Sequence, residues 1–349
     1  MASVTIMDVA RHAGVSKKTV SRVINNEANV KDEMREKVNR AIQELGFKRN
    51  PLGMALAKNR SLFIALLSDN SSPGYLMNLQ KGILQGCSEE QMGLFLYDCD
   101  YRSPTLVQEV EAYIDNTLVD GLILRPPMCD KLELLEMLDR KNVAYIRIGP
   151  KDLNRGESLG FNSAKASYDI THYLLKLEHR HIGFILGHPE QRSSQLGEEG
   201  FRKAYKEAGL KVNEALIAQG YYTYQSGMDA AATLLNNTPR PTAIFAANDE
   251  MALGVLYEVQ SRNLKVPADI SICGIDDIAQ STKVWPNLTT IRHPLLTIGY
   301  QAACLLIGRL KNKKTAGPAR GPDGTQIFDG ELVIRASTST APKAIEVGT

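Results

Sequence analysis

The stretch "VSKKTVSRVINN" (15–26) sorts its residue types by face. Wound as a helix from Ser16, it sets Thr19, Val20, Val23 and Ile24 on one side and Lys17, Lys18, Ser21, Arg22 and Asn25 on the other. The second face holds the donors that duplex DNA accepts: Lys or Arg for guanine O6 and N7, Asn for adenine, and hydroxyls for phosphate oxygens. On that reading Lys17, Lys18 and Arg22 address base edges, while Thr19, Ser21 and Asn25 mainly hold position on the backbone. The plain alternative is a solvated charged surface. A second set of polar residues closes apolar runs further on: Asn70, Arg125, Arg147, Asn162, Asn248, Asp249 and Asp276. If those runs are strands of open α/β sheets, their carboxyl ends are where a small ligand binds; individually, such residues can also be ordinary solvated loop positions.

The elements around the first set favour the DNA reading. Thr5 caps a helix with Asp8 three residues on, Ile6, Val9, Ala10 and Ala13 form its apolar stripe, and Gly14 suits a left-handed stop. Ser16 then caps the next helix, so only a few residues link the two, as a helix-turn-helix requires. In "DEMREKVNRAIQELGF", Met34, Val38, Ala41, Ile42 and Leu45 recur at helical spacing before Gly46. Residues 1–60 carry twelve Lys and Arg against six Asp and Glu, and the rest of the chain 29 against 33. A basic head on a mildly acidic body points to a polyanion as partner of the head alone.

From Ser61, apolar runs ("SLFIALLSD", "GLFLYDC", "GLILRPP", "VAYIRIG", "HIGFILG", "PTAIFAAND", "ISICGID") alternate with helical segments near 75–92, 104–117, 131–141, 163–179, 195–209, 224–236 and 249–263. Alternation of this kind predicts parallel sheets covered by helices on both faces, and a break near 158–164 predicts two lobes. With 349 residues, 43% of them hydrophobic, the chain can bury more than one core. Cys87, Cys99, Cys129, Cys273 and Cys304 are odd in number and unpaired in spacing, which predicts buried free thiols and neither disulfides nor a zinc site. No window reads as a membrane span or secretion signal, so a cytoplasmic location is expected. "GHPEQRSSQLG" is no phosphate loop, and no Walker pattern or nucleophile elbow occurs. The histidines of "HRH" (179–181) lack metal-ligand spacing and read as surface or edge residues. Neither an enzyme nor a cofactor is expected; a soluble sugar receptor for transport suits the body but not the basic head.

The run "VTIMDVARHAGVSKKTVSRVINN", continuing through "VKDEMREKVNRAIQELGFKRNP", resembles the headpiece of the lactose and galactose repressor family of bacterial transcription regulators. "HRHIGFILGHPE", "GFRKAYKEAGL", "PTAIFAANDEMALGV" and "ISICGIDDI" followed by "WPNLTTI" are similar, in the same order, to that family's periplasmic-binding-protein-like effector domain. The resemblance implies an all-α helix-turn-helix headpiece (1–49), a hinge (50–60), a two-lobed body (61–340) and a tail (341–349). Within the body it implies an N-lobe of 61–161 plus 291–322 and a C-lobe of 162–290 plus 323–340, each a doubly wound parallel sheet. It adds Thr5, Ser16, Asn50 and Leu56 to the DNA-binding set, Leu56 as the hinge residue that enters the minor groove. It places effector-binding positions at Tyr75, Arg125, Arg147, Asn162, Ser193, Tyr222, Asn248 and Asp276 beside Asn70, and implies a homodimer on palindromic operator DNA. A sugar or glycoside is the default effector, and a purine-type corepressor the alternative.

The chain departs from the family pattern in four places. Gly53 and Met54 alter the hinge, the glycine weakening its helix by about 1 kcal/mol relative to alanine. Lys31 replaces a serine cap on the third helix, leaving Asp32 to cap one residue later. Gly197 stands where an arginine is usual in the cleft, which removes a multidentate donor. In the returning segment, Ile298, Ala302, Leu305 and Leu306 share a stripe that suits either core packing or a dimer contact, and "STAPKAIEVGT" carries no heptad for a tetramer.

Overall fold

The computed structural model describes residues 4–24, 27, 29–47, 61–69, 72–311 and 325–342. Asn25, Asn50, Leu56 and Asn70, the expected hinge over 50–60 and the tail from 343 lie outside the described residues. The chain forms two compact units, Met1–Ser61 and Leu62–Thr349.

Among the described residues the first unit is three helices. In α1 (Ile6–Ala13), Thr5 is an extended N-cap whose hydroxyl accepts from the Asp8 amide (3.3 Å) while Asp8 Oδ2 accepts from the Thr5 amide (2.9 Å). The Thr5 hydroxyl, donating to Asp8 Oδ2 at 2.6 Å, and the Thr5 amide hold the Asp8 carboxyl below its ordinary value. Gly14 stops α1 in the left-handed region (φ 64°, ψ 30°), a conformation that penalises any side chain with a Cβ. Ser16 Oγ then accepts from the Thr19 amide at 3.1 Å, capping α2 (Lys17–Ile24). α3 (Asp32–Leu45) ends at left-handed Gly46. Its N-cap position is Lys31, which makes no side-chain cap; Asp32 lies inside the first turn, where its charge meets the helix dipole without capping it. Val9, Ala10, Val20, Val23, Val38 and Ala41 form the core, so the three apolar stripes bury one another.

Among the described residues the second unit holds two six-stranded sheets. The first is ordered β2 (Gly93–Asp98), β1 (Phe63–Ser68), β3 (Gly121–Leu124), β4 (Ala144–Ile148), β5 (Ser158–Phe161) and β11 (Thr325–Phe328), all parallel. The second is ordered β7 (Ile217–Gln219), β6 (Ile182–Leu186), β8 (Ala243–Ala246), β9 (Ser271–Asp276), β10 (Thr289–Arg292) and β12 (Glu331–Val333); β12 alone is antiparallel. Around the first sheet lie α4 (Pro73–Glu89), α5 (Leu106–Thr117), α6 (Leu132–Arg140) and the returning α11 (Leu295–Lys311). Around the second lie α7 (Ser163–Lys176), α8 (Arg192–Glu207), α9 (Tyr224–Leu235) and α10 (Asp249–Ser261).

The chain crosses between lobes three times: after Phe161, after Arg292 and after Phe328. This corrects the expected boundaries. β10 completes the C-lobe sheet, so the crossing falls past 292 instead of at 290, and residues 325–328, expected in the C-lobe, form a strand of the N-lobe sheet. β11 extends the N-lobe beside β5 and β12 pairs with β10, because both sheets have an open edge at the crossover. Ile298, Ala302 and Leu306 are buried against β1 and α4 residues and Leu305 packs beside them, so the stripe is core. His179 is fully buried, against the surface reading, and hydrogen-bonds Thr242 Oγ1 (2.9 Å) and the Ser339 carbonyl (3.0 Å). All five cysteines are free and four are buried.

Candidate functional site

The outer face of α2 presents Lys17, Lys18 and Arg22 to solvent, with Thr19 and Ser21 half-buried beside them. Arg22 Nε is 3.6 Å from Glu27 Oε2, an exposed pair of the kind worth at most about 1 kcal/mol, so the guanidinium is readily released to a partner. Thr5 and Ser16 sit at the two helix starts with their hydroxyls engaged in the caps described above. The face therefore combines mobile cations with a rigid backbone.

In the body, a cleft of about 1210 Å³, open mouth included, lies at the carboxyl ends of both sheets. From the expected set it gathers Tyr75, Arg125, Ser193, Tyr222, Asn248 and Asp276. Asp276 ends β9 at φ 122° and Tyr222 lies at φ 62°, conformations that cost a non-glycine residue about 1–3 kcal/mol each. Burial pushes the Asp276 carboxyl well above the usual carboxylate range, and the nearby Glu250 adds to this. Arg125 Nη1 donates to Ser68 Oγ (3.1 Å) and Asp69 Oδ1 (2.9 Å), and its guanidinium lies 5.1 Å from the centre of the Tyr75 ring. Burial raises the Tyr75 hydroxyl to about 12, so it is a neutral donor at physiological pH. The Tyr222 and Ser193 hydroxyls are 2.9 Å apart. Both ends of the Asn248 amide are engaged: Oδ1 caps α10 at the Met251 amide (3.0 Å) and Nδ2 donates to the Tyr222 carbonyl (3.1 Å).

Three polar strand-end residues lie outside this lining. Arg147 is 1% exposed and donates to the Cys129 (3.3 Å) and Asp152 (2.7 Å) carbonyls, fastening two loops of the N-lobe. Asn162 caps α7 at the Lys165 amide (3.2 Å) and donates to Asp329 Oδ1 (2.9 Å), tying two crossovers together. Asp249 is fully buried, accepting from the Ile278 amide (3.0 Å) and Thr290 Oγ1 (2.6 Å). Each side chain is held by backbone groups or neighbours away from the cleft, which is why its position at a strand end does not bring it to the ligand space.

Among the lining residues not foreseen are His293 and Phe161. His293 Nδ1 is 3.2 Å from Asp276 Oδ1, and its ring stacks on Phe161 with centroids 3.8 Å apart. Burial lowers the imidazole to about 3, so it is neutral, and a single proton joins its Nδ1 to Asp276 Oδ1. Both residues sit where the chain changes lobe, a position that strand periodicity does not mark. At the mouth, Tyr101 OH meets His188 Nε2 (3.0 Å) and Arg192 Nη1 donates to the Lys151 carbonyl (2.8 Å), so the two lobes touch across the cleft. Among the described residues there is no metal-ligating cluster, and no helix is long and apolar enough to cross a membrane.

Residues 5–50 match the family described as bacterial regulatory proteins, lacI family, and residues 171–338 match a periplasmic binding protein-like domain. The chain is 32% identical over 318 residues to catabolite control protein A of Priestia megaterium, covering 90% of this chain and 94% of that one. It is 34% identical to the transcriptional repressor PurR of Vibrio campbellii, over 89% of this chain and 93% of that one. Among solved structures, the Lac repressor dimer bound to operator and the anti-inducer ONPF superposes with a TM-score of 0.75 at 26% identity, over 97% of this chain and 100% of that one. A complex of the transcriptional regulator CelR with cellobiose gives 0.72 at 29% identity, over 96% and 99%.

Proposed function

Because the chain belongs to the lacI family of bacterial regulatory proteins, we propose that it is a homodimeric repressor whose α2 face reads a palindromic operator and whose cleft tunes that grip through a small effector. The observation that carries this reading is the pairing, in one chain, of an exposed cationic helix on a capped helix-turn-helix with a largely apolar cleft that carries a few polar groups at strand ends. Lys17, Lys18 and Arg22 contact base edges; Thr5, Ser16, Thr19, Ser21 and Asn25 contact the phosphate backbone. Asn50 and Leu56 belong to the hinge, Leu56 as the minor-groove wedge. An effector that prefers the lobe arrangement incompatible with operator binding releases DNA by its differential affinity for the two states.

The effector is a sugar or glycoside. Asp276 supplies an acceptor for hydroxyls, Ser193 and Tyr222 supply hydroxyls, and the Phe161, His293 and Tyr75 rings offer faces and edges for the apolar side of a pyranose. The cellobiose held by the CelR neighbour agrees with this class. Operator binding is tested by gel-shift titration at several salt concentrations: the affinity falls steeply with salt, and a constant indifferent to salt would count against the cationic face. Effector class is tested by thermal shift over sugars, glycosides, purines and amino acids. A ligand at a hundred times its Kd stabilises by about 2.7 kcal/mol, and a response confined to purines would replace the carbohydrate reading with the corepressor alternative.

A further inference from the structure

Interior helix glycines in this protein mostly have an evident cause. A Cβ on Gly200 would lie 2.0 Å from the Ala164 carbonyl oxygen of α7, and one on Gly299 would lie 2.3 Å from that of Leu79 in α4. Side chains there would drive packed helices apart. Gly197, one turn before Gly200 in α8, is different: a Cβ would meet only Phe184 Cζ, at an ordinary 3.9 Å. No left-handed φ or close backbone demands glycine at 197, and glycine is among the poorest helix formers. Yet Gly197 is buried and lines the cleft. What the glycine provides is therefore room.

The surroundings say what fits. The Phe184 ring is braced by stacking on Phe201 (4.7 Å) and Phe245 (4.8 Å), which makes the floor beside Gly197 stiff and apolar. Leu196 lines the same side. The arginines of the lining are engaged, Arg125 with the Asp69 carboxylate and Arg192 with the Lys151 carbonyl, and the buried Asp276 carboxyl offers an anionic ligand no attraction.

Resting on the reading of this cleft as a sugar or glycoside site, we infer that the effector is uncharged and bipartite. Its hydroxyls face Asp276, Ser193 and Tyr222, and a compact apolar group, the aglycone of a glycoside, enters the space that Gly197 leaves beside Phe184. This makes Gly197 a specificity-determining residue.

The test compares methyl and phenyl glycosides and the 6-phosphates of common hexoses by calorimetry on the full-length protein and its Gly197→Leu variant. Burying the ring predicts that the phenyl glycoside of the preferred sugar binds about tenfold or more tighter than the methyl glycoside. Gly197→Leu brings the phenyl-to-methyl affinity ratio down to about one, since only the lost apolar contact separates the two ligands. The 6-phosphates bind more weakly than either. A phenyl preference that is absent, or that survives Gly197→Leu, overturns the inference, as does tightest binding by a 6-phosphate. Xenon-pressurised crystals test the space without any sugar: a xenon atom beside Gly197, lost in Gly197→Leu, is expected, and none in the parent protein overturns the pocket. If no sugar or glycoside binds, the carbohydrate reading falls, and the xenon arm still decides the apolar pocket.

Discussion

The headpiece and the body solve recognition in opposite ways. In the headpiece the reading residues are neighbours on a single helix, exposed, and joined to solvent by long flexible stems; the structure's work is to hold the helix. In the body the lining residues come from segments as distant as Tyr75 and His293, are mostly buried, and are held by neighbours before any ligand arrives. A phosphate backbone is a large, regular polyanion that tolerates mobile cations, whereas a small neutral ligand is distinguished only by a few preplaced donors and acceptors in a dry cavity. The two regions therefore differ in what mutations do: changes on the α2 face alter binding and leave folding intact, while many polar changes in the body alter folding first.

The comparison breaks most sharply on deletion. Removing residues 1–61 is expected to abolish specific operator binding, a loss of about a thousandfold or more, while the effector-induced thermal shift of the remaining body persists. Retained promoter binding in gel shift would refute the division of labour.

A smaller effect separates structure from site within the body. Arg147→Met leaves the Cys129 and Asp152 carbonyls without their buried donor and is expected to lower unfolding stability by about 1–3 kcal/mol per lost partner in urea titrations. Asp276→Asn, by contrast, is expected to weaken effector binding with a smaller change in the urea midpoint. On the headpiece, Arg22→Ala is expected to cost about 1–3 kcal/mol of operator affinity with the headpiece melt unchanged. Thr5→Ala acts on folding as well as on binding, removing the α1 cap for about 1 kcal/mol of headpiece stability, read by the amide protection of residues 6–13, while effector binding is unaffected.

The last prediction concerns acidity. Burial holds the His179 imidazole below its ordinary 6.5, with the Arg180 charge adding to the effect and the Ser339 carbonyl opposing it. The unfolded chain therefore takes up the proton first as pH falls, so the stability tied to neutral His179 is complete above pH 6.5 and declines below it. Comparing urea midpoints at neutral and mildly acidic pH, His179→Gln should be flatter than the parent protein. The difference stays under the roughly 1.4 kcal/mol per pH unit that one proton sets.

How far the site was legible in the sequence follows from range. The Thr5 and Asp8 capping box, the Gly14 and Gly46 stops and the sorted faces of α1 to α3 were readable because each depends on residues within about four positions of one another. The alternation of strands and helices in the body was readable for the same reason. Arg125 and Arg147 looked equivalent, each closing an apolar run before a turn, yet they part company in the sheet. Arg147 pairs in register with Leu124, the residue before Arg125, so the two arginines project from opposite faces. Register between strands is not written in either run alone. His293 and Phe161 were missed because their role follows from where the chain changes lobe, and nothing in the run before Asn248 shows that its amide also caps a helix and bonds the Tyr222 carbonyl.

By itself, then, the sequence determined the element types, the headpiece with its cationic α2 face, and the two-lobed plan, since periodicity, caps and charge act over short stretches of chain. Tertiary structure decided which polar strand ends meet in the cleft, that β11 and β12 divide between the sheets, and that Gly197 faces open space where Gly200 faces a backbone. Those outcomes depend on register and close packing between segments far apart in the chain, and no local pattern encodes them.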